Sequence, residues 1–256
     1  MTIQPGLALY GVPGLPIIQP GDDLAGLIAD ALKAFDLALQ AGDVLIITSK
    51  IVSKAEGRFV ALASVTPSPE ALRLAEITGK DPRMVELVLR ESTVVSRAAP
   101  NVLVVRHRLG FVSANAGIDQ SNVDGGDDIA LLLPLDPDES ARRLREQLTD
   151  LAGVAPAIIV SDSHGRPFRM GNVGVAIGAA GLPALRDLRG QRDLFGRVLK
   201  ISLQALGDEI ASAANLLSGE GAEGLPVVLL RGLHFAPADG CAADLVRPPE
   251  QDLFRN

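Results

Sequence analysis

The sequence predicts an α+β protein with mixed β-sheets and flanking helices. Two observations predict this class: some segments place apolar residues at helical spacing, and others are short continuous apolar runs typical of buried strands. Predicted helices and strands do not alternate strictly enough for a doubly wound parallel sheet. The chain has 256 residues, of which 47% are hydrophobic, so it is long enough to bury a core without disulfides or structural metals.

The predicted helices of the first half each follow a residue suited to capping a helix N-terminus, and two of them have proline at their first position. These capping residues are Asp22, Ser68 and Asp81. The first two predicted strands of this half are continuous apolar runs, and a third, shorter strand follows. They cover residues 44–47, 102–105 and 111–114.

The second half begins with a polar, glycine-rich segment over residues 115–127, which predicts a loop with many oxygen donors. Further strands are predicted over residues 131–133, 157–160, 173–177 and 226–230. Amphipathic helices are predicted over residues 138–151 and 198–217. Residues 161–166 are predicted to form a loop directly after a strand, and the chain is predicted to be irregular from His234 onward.

Composition and charge exclude several classes of protein. Lys and Arg total 24 against 31 for Asp and Glu, and this net charge of −7 argues against a nucleic-acid binder. No apolar run reaches the ~20 residues of a membrane span, and Met1 to Pro5 lack the basic start of a signal peptide. One cysteine excludes an intrachain disulfide or a multi-cysteine zinc site. The composition therefore predicts a cytoplasmic protein that contacts neither nucleic acid nor membrane.

The one glycine-rich match to a cofactor motif is misleading. Gly219, Gly221 and Gly224 fit the dinucleotide pattern G-x-G-x-x-G. They follow a predicted helix and precede a predicted strand, whereas the motif needs a strand before the glycines and a helix after them. The sequence also lacks a P-loop.

Three acidic residues follow apolar runs and predict a site for a hard cation. Asp119 lies in the glycine-rich segment, Asp162 follows a predicted strand with Ser163 beside it, and Glu220 follows the last predicted helix. Carboxylate and hydroxyl oxygens suit Mg²⁺ or Mn²⁺ better than zinc. The alternative is that Asp119 and Asp162 are turn residues that bond their own backbone.

Cationic side chains support a phosphate site. Lys50 and Lys54 follow a predicted strand and are four residues apart, so one helical turn would place them on one face. Arg166 and Arg169 could clamp a carboxylate or phosphate. The alternatives are solvated lysines and ordinary salt bridges. His164 is a weak candidate for proton transfer.

Five separate stretches together resemble one family, the coenzyme F420 γ-glutamyl ligases. They follow the family order over roughly residues 11–231. The stretches are Gly14-Leu15-Pro16-Ile17 with Gly21-Asp22-Asp23, residues 49–58, residues 114–122, residues 161–169 and residues 208–214.

The resemblance implies an unusual mixed fold with two lobes per chain and a homodimer. It implies a GTP-dependent amide ligase that adds L-glutamate to coenzyme F420-0, or to its dehydro form, through an acyl phosphate. GTP would be a co-substrate and Mg²⁺ or Mn²⁺ the cofactor, with two divalent ions; a role for K⁺ stays open.

The resemblance also implies roles for individual residues. It makes Asp119, Asp162 and Lys50 the catalytic residues. The implied metal ligands are Asp119, Asp162, Ser163 (where threonine is common in the family) and Glu220. Glu220 stands where glutamine is expected, so it keeps an oxygen ligand and adds a charge. The implied nucleotide contacts are Gly14, Leu15, Pro16, Ile17, Ser49, Lys50, Lys54 and Asn122.

Residues 1–235 are predicted to form the ligase domain and residues 236–256 a C-terminal tail or linker. This tail resembles the stretch that joins the ligase domain to a flavin-binding reductase domain in bifunctional bacterial relatives. Two alternatives stay open: a metal-dependent nucleotide-binding module without turnover, and a glutamate ligase acting on another pterin- or flavin-like acceptor.

Overall fold

A computed structural model describes residues 6–121 and 126–252. It confirms the α+β class: the largest described sheet is mixed, and the three smaller ones are antiparallel. The strands are β1 (Ala8–Gly11), β2 (Val44–Thr48), β3 (Phe59–Ala61), β4 (Ser92–Ala99), β5 (Val102–His107), β6 (Val112–Ala114), β7 (Ile129–Leu131), β8 (Ala157–Arg166), β9 (Arg169–Ala180), β10 (Arg186–Asp187), β11 (Leu203–Gln204) and β12 (Val227–Arg231). The helices are α1 (Leu24–Ala34), α2 (Ser49–Ala55), α3 (Pro69–Thr78), α4 (Pro82–Arg90), α5 (Pro137–Ala152) and α6 (Leu206–Ser218).

A five-stranded sheet in the order β1-β12-β2-β8-β9 forms the centre of the larger lobe. Strands β2 and β8 are parallel, and the other neighbouring pairs are antiparallel. Thr48 at the end of β2 pairs with Ser161 of β8. The end of β1 and the start of β12 lie at the same edge, because Gly11 pairs with Val228. Four chain segments therefore meet at one end of this sheet.

Both faces of the central sheet are buried. Leu45, Ile47 and Val160 point to the face covered by α1, α2 and α5. Ile46 and Ile159 point to the face covered by α6. Successive side chains of a strand point to opposite faces, so a strand covered on both sides is apolar throughout. This explains the continuous apolar runs from which these strands were predicted.

The second lobe has a core of its own. It contains the three-stranded sheet β4-β5-β6 and the helices α3 and α4, with a short β3–β7 pair beside it. Leu74, Val88 and Val105 are buried in its core. The two lobes match the architecture that the resemblance implies.

The first predicted helix cap was wrong by one residue. Asp23, not Asp22, accepts the backbone N–H of Gly26 at the start of α1. Asp22 accepts the N–H of Gln19 instead and shapes the preceding turn.

Two predicted boundaries in the second half were also wrong. Strand β8 continues through the predicted loop at residues 161–166, because β9 folds back and pairs with it as far as Arg166. Helix α6 begins at Leu206 rather than at residue 198, because part of the predicted segment belongs to the β10–β11 hairpin.

The outer edge of β9 is covered by the first turns of α5 and α6. Asp208 of α6 accepts the backbone N–H of Ala176 at 2.9 Å, and Asp138 of α5 accepts that of Ala179 at 2.8 Å. Gly178 permits the approach of α5, because a Cβ there would lie 2.2 Å from the carbonyl oxygen of Pro137. Carboxylates thus bind the outward backbone N–H groups of Ala176 and Ala179, so this stretch of the edge strand is not open to pairing with another strand.

The chain after β12 returns to this edge. A 3₁₀ helix over Ala242–Leu245 packs there, and the backbone N–H of Ala242 donates to Asp138 at 2.7 Å. In the part of the chain that the structure describes, no helix has the length and apolar character needed to cross a membrane.

Candidate active site

Two neighbouring residues of α2 bind the two aspartates that the sequence singles out. Helix α2 begins directly after β2, which places Ser49 and Lys50 beside β8. Ser49 Oγ donates to Asp162 Oδ1 at 3.0 Å. Lys50 Nζ lies 2.7 Å from Asp119 Oδ2. Asp119 and Asp162 thus both lie at the first turn of α2, although 43 positions separate them in sequence.

Asp119 is held by a lysine and by the turn that follows it. Its Oδ1 accepts the backbone N–H of Ser121 at 2.7 Å, and Lys50 Nζ also donates to the Ser121 carbonyl at 3.0 Å. Burial raises the pKa of Asp119, but the hydrogen bonds from Lys50 and Ser121 and the charge of Lys50 lower it more, so this pKa lies below its usual value. The Ser121 bond is the one expected of a turn aspartate, and the Lys50 contact adds a charge partner to it.

Asp162 bonds side chains from two elements. Its Oδ1 accepts Ser49, and its Oδ2 lies 3.0 Å from Nε2 of His164, two residues along the same face of β8. Gly117 crosses over this carboxylate with φ of +66°, where a Cβ would lie 3.4 Å from Asp162 Oδ2 and 2.7 Å from Leu133. Glycine is therefore required where the segment carrying Asp119 passes Asp162.

The remaining two predicted ligands form a separate pair. Ser163 Oγ donates to Glu220 Oε1 at 2.8 Å, and Asn215 of α6 donates to the same oxygen at 2.9 Å. Ser163 points to the face of β8 opposite to Asp162, because the two residues are adjacent in a strand. The four predicted ligands thus flank the end portion of β8 from both faces.

The donor set suits a hard divalent cation, since it contains only carboxylate and hydroxyl oxygens. Within residues 6–121 and 126–252, no three His, Cys, Asp or Glu side chains are gathered as a ready-made metal centre. Mg²⁺ usually binds through one or two carboxylates together with substrate phosphates, so this arrangement fits such an ion. The metal roles of Asp119, Asp162, Ser163 and Glu220 stay predictions.

The predicted nucleotide contacts lie in segments that reach the same end of the sheet. The segment Gly14–Ile17 leaves β1 there; Gly14, Pro16 and Ile17 are exposed, and Leu15 is half-buried. Lys54 is buried one helical turn after Lys50. Asn122 lies outside the described residues. A nucleotide role for these residues stays a prediction.

Other candidates lie apart from the cluster or were missed. Arg166 and Arg169 form a cross-strand pair at the tip of the β8–β9 hairpin, and Arg166 donates to the carbonyl of Met170. Ser121 and Asn215 were not singled out from the sequence. Ser121 could have been found from its place two residues after a turn aspartate. Asn215 carries no local signal, because its contact depends on where α6 packs.

Comparisons with known proteins agree with the resemblance seen in the sequence. A family model described as F420-0:Gamma-glutamyl ligase matches residues 14–232. The chain is 48% identical over 252 residues to the coenzyme F420:L-glutamate ligase of Methanothermobacter thermautotrophicus, with 98% of this chain and 99% of that protein covered. It is 49% identical over 255 residues to the protein of the same name from Methanopyrus kandleri, with 98% of each covered. It is 43% identical over 244 residues to that of Methanocaldococcus jannaschii, with 94% of each covered.

Proposed function

Because the chain belongs to the F420-0:gamma-glutamyl ligase family, we propose that it joins L-glutamate to coenzyme F420-0, or to its dehydro form, through an amide bond. The family membership makes the chain an amide-forming ligase. The observation that carries the choice of substrates is the similarity, over nearly the whole chain, to relatives named coenzyme F420:L-glutamate ligase.

The reaction we propose consumes GTP, because a carboxylate is a poor electrophile until it is activated. The terminal carboxylate of the acceptor attacks the γ-phosphorus, GDP leaves, and an acyl phosphate forms. The α-ammonium of L-glutamate gives one proton to water, the free amine attacks the acyl carbon, inorganic phosphate leaves, and the new amide nitrogen gives its second proton to water. No protein nucleophile is needed, and charge stabilisation and positioning dominate such phosphoryl transfers.

The cluster around α2 offers what this reaction requires. Asp119 and Asp162 in this cluster, and the separate pair Ser163 and Glu220 on the opposite face of β8, would hold the two divalent ions, Mg²⁺ or Mn²⁺, which would neutralise charge on the triphosphate. Lys50 places an ammonium group next to Asp119 at the surface of the site. Ser49 and His164 fix both oxygens of the Asp162 carboxylate. The segment Gly14–Ile17 approaches from β1 and would contact the nucleotide.

We also propose that the enzyme is a homodimer. Large apolar side chains are exposed at the tip of the β8–β9 hairpin and along the β10–β11 hairpin: Phe168 is 93% exposed, Met170 96%, Leu194 100% and Ile201 88%. Exposed apolar surface of this kind marks an interaction site, and a second copy of the chain would cover it.

The proposed activity is tested by incubating the protein with GTP, Mg²⁺, L-glutamate and coenzyme F420-0, followed by mass spectrometry of the deazaflavin. We expect a product that carries added glutamate, together with release of GDP and phosphate. A chelator should abolish GTP consumption, and added Mg²⁺ or Mn²⁺ should restore it. Lys50→Met should slow the reaction strongly, whereas Lys80→Met, between α3 and α4 of the second lobe, is the matched control.

Two outcomes would contradict the proposal. Binding of GTP without turnover, with no glutamate added, would favour the nucleotide-binding module. Turnover that depends on glutamate and on a different pterin- or flavin-like acceptor, and not on coenzyme F420-0, would favour the other ligase.

A further inference from the structure

A cavity of about 280 Å³ lies beside the edge strand β9, between the first turns of α5 and α6. Its apolar wall includes Phe111, Val175 and Leu245, and its polar groups include His164, Asp208 and Arg247. Ligand pockets commonly measure about 300–1,000 Å³, so this volume suits an amino acid better than a deazaflavin.

His164 connects this cavity to the candidate active site. The histidine lines the cavity, and its Nε2 lies 3.0 Å from Asp162 Oδ2. The ring of Phe111 packs against that of His164 with centroids 5.0 Å apart, which closes the wall between β6 and β8. A molecule in the cavity would lie one side chain away from Asp162.

Asp208 is a half-buried carboxylate whose environment suits a cationic ligand. Its Oδ1 accepts the backbone N–H of Ala176, and it forms no ion pair with any of the described residues. Burial raises the pKa of Asp208, against smaller lowering effects of the Ala176 hydrogen bond and of His164. A desolvated carboxylate is stabilised when a cation becomes its partner.

Arg247 contributes the opposite charge to the lining of the cavity. It is exposed, and it makes no ion pair or hydrogen bond within the described ranges 6–121 and 126–252. The segment that carries it is tied to the body of the protein through the bond between Ala242 and Asp138. An arginine so placed can bind a carboxylate through two hydrogen bonds.

We propose that this cavity is the pocket for the L-glutamate substrate, with Asp208 binding its α-ammonium group and Arg247 one of its carboxylates. The apolar wall packs against the methylene groups. This assignment rests on the proposed function, since an amide ligase must hold its amine close to the activated carboxyl group.

Steady-state kinetics test the assignment with Asp208→Asn and Arg247→Gln. The asparagine side chain would keep the oxygen that accepts the backbone N–H of Ala176 and would lose only the negative charge. We therefore expect the KM for L-glutamate to rise about tenfold or more, the scale for losing a hydrogen bond to a charged group. The KM for GTP and for the acceptor should not change. Glu209→Gln is the matched control, because Glu209 is in the same helical turn and bonds Gln204 outside the cavity.

Equilibrium binding gives a readout that does not need turnover. Labelled L-glutamate is dialysed against each variant and displaced with unlabelled L-glutamate or with glutarate, which lacks the ammonium group. The unsubstituted protein should prefer L-glutamate, and Asp208→Asn should lose that preference without losing affinity for glutarate. Arg247→Gln, at an exposed position that should not affect folding, should weaken binding of both.

The outcomes separate the pocket from the reaction. If glutamate is ligated and neither variant changes its KM or its binding, the pocket assignment is overturned and the proposed function stands. If L-glutamate binds in an Asp208-dependent manner but is not added to coenzyme F420-0, the proposed function fails and the pocket stands. If the protein neither binds nor ligates L-glutamate, both are wrong.

Discussion

Asp162 is the residue on which the candidate site is centred. It bonds Ser49 of α2 and His164 of β8, and Gly117 passes directly over it. His164 lies only two residues along the chain and was already a weak candidate for proton transfer, but neither Ser49 nor Gly117 can be inferred from the local sequence of Asp162. The residue type was predictable. Its contact with Ser49 was not, because 113 positions separate the two residues.

Replacing Asp162 with asparagine removes a charge and little volume. We expect turnover to fall roughly 100-fold or more, the scale for losing a group that stabilises transition-state charge. The melting temperature should change little, because asparagine can still accept from Ser49. Glutamate addition and thermal unfolding are measured side by side with Asp150→Asn, an exposed residue of α5. Near-normal turnover in Asp162→Asn would remove this residue from the catalytic machinery.

Glu91, in the second lobe, provides a residue-scale prediction for stability. It is largely buried and contacts Arg58, Arg108 and His107. Burial acts to raise the pKa of Glu91, but the nearby His107 Nε2 at 3.6 Å, the hydrogen bond from Arg108 and the charges of both arginines outweigh it and lower the pKa to about 2. Because the folded-state pKa is lowered, this carboxylate stabilises the protein above its unfolded-state pKa and ceases to do so as the pH falls through the folded-state value.

Glu91→Gln should therefore lower the free energy of unfolding by about 3 kcal/mol at neutral pH. The difference from the unsubstituted protein should shrink as the pH falls from about 4.5 towards about 2. Urea unfolding at several pH values measures it, with exposed Glu76→Gln as the control. A difference that is independent of pH over this range would contradict the assigned charge network.

At the scale of elements, the chain encodes the starts of side-chain-capped helices well, and it encodes strand ends and the uncapped start of α6 poorly. Ser68 and Asp81 cap α3 and α4 as predicted, because a cap bonds only a few residues ahead. Strand β8 runs six residues past its predicted end at Val160, because its polar end portion is stabilised by pairing with β9. The sequence of a strand does not show which other strand pairs with it. The polar residues 161–166 taken alone are typical of a loop, and so they were predicted as one.

The contact between β9 and α5 is tight enough to be tested with a single methyl group. Gly178→Ala should destabilise the protein by about 1–3 kcal/mol, because the new Cβ would meet the Pro137 carbonyl oxygen at 2.2 Å. Gly165→Ala in β8 is the control, since its Cβ would find only an ordinary contact of 3.7 Å with Asn172. Thermal or urea unfolding measures both. Equal stability of the two variants would show that α5 can move away from β9 at no cost.

At the scale of the whole molecule, the hairpins β8–β9 and β10–β11 expose apolar side chains, and the sequence predicted only parts of their strands. The β10–β11 hairpin replaced part of a predicted helix, because its apolar residues are spaced in a way that also fits a helix. The apolar side chains that this hairpin exposes are typical of a surface that another protein covers.

We expect the purified protein to be a dimer by light scattering. Replacing Leu194 and Ile201 with aspartate should shift it towards a monomer, because both exposed side chains would place charge in the contact. Replacing the exposed Leu72 of α3 with aspartate, in the other lobe, should leave the mass unchanged. A monomer at micromolar concentration before any substitution would contradict the proposed homodimer.

The direct junction of β2 with α2 has an energetic consequence for the ligase reaction. Thr48 ends the strand, its backbone N–H bonds the carbonyl of Pro226, and Ser49 begins the helix with no intervening residue. The lysine and hydroxyl that engage Asp119 and Asp162 are thus preorganised by folding itself. Little conformational entropy remains to be lost when reactants arrive, so more of their binding energy is left to lower the activation barrier.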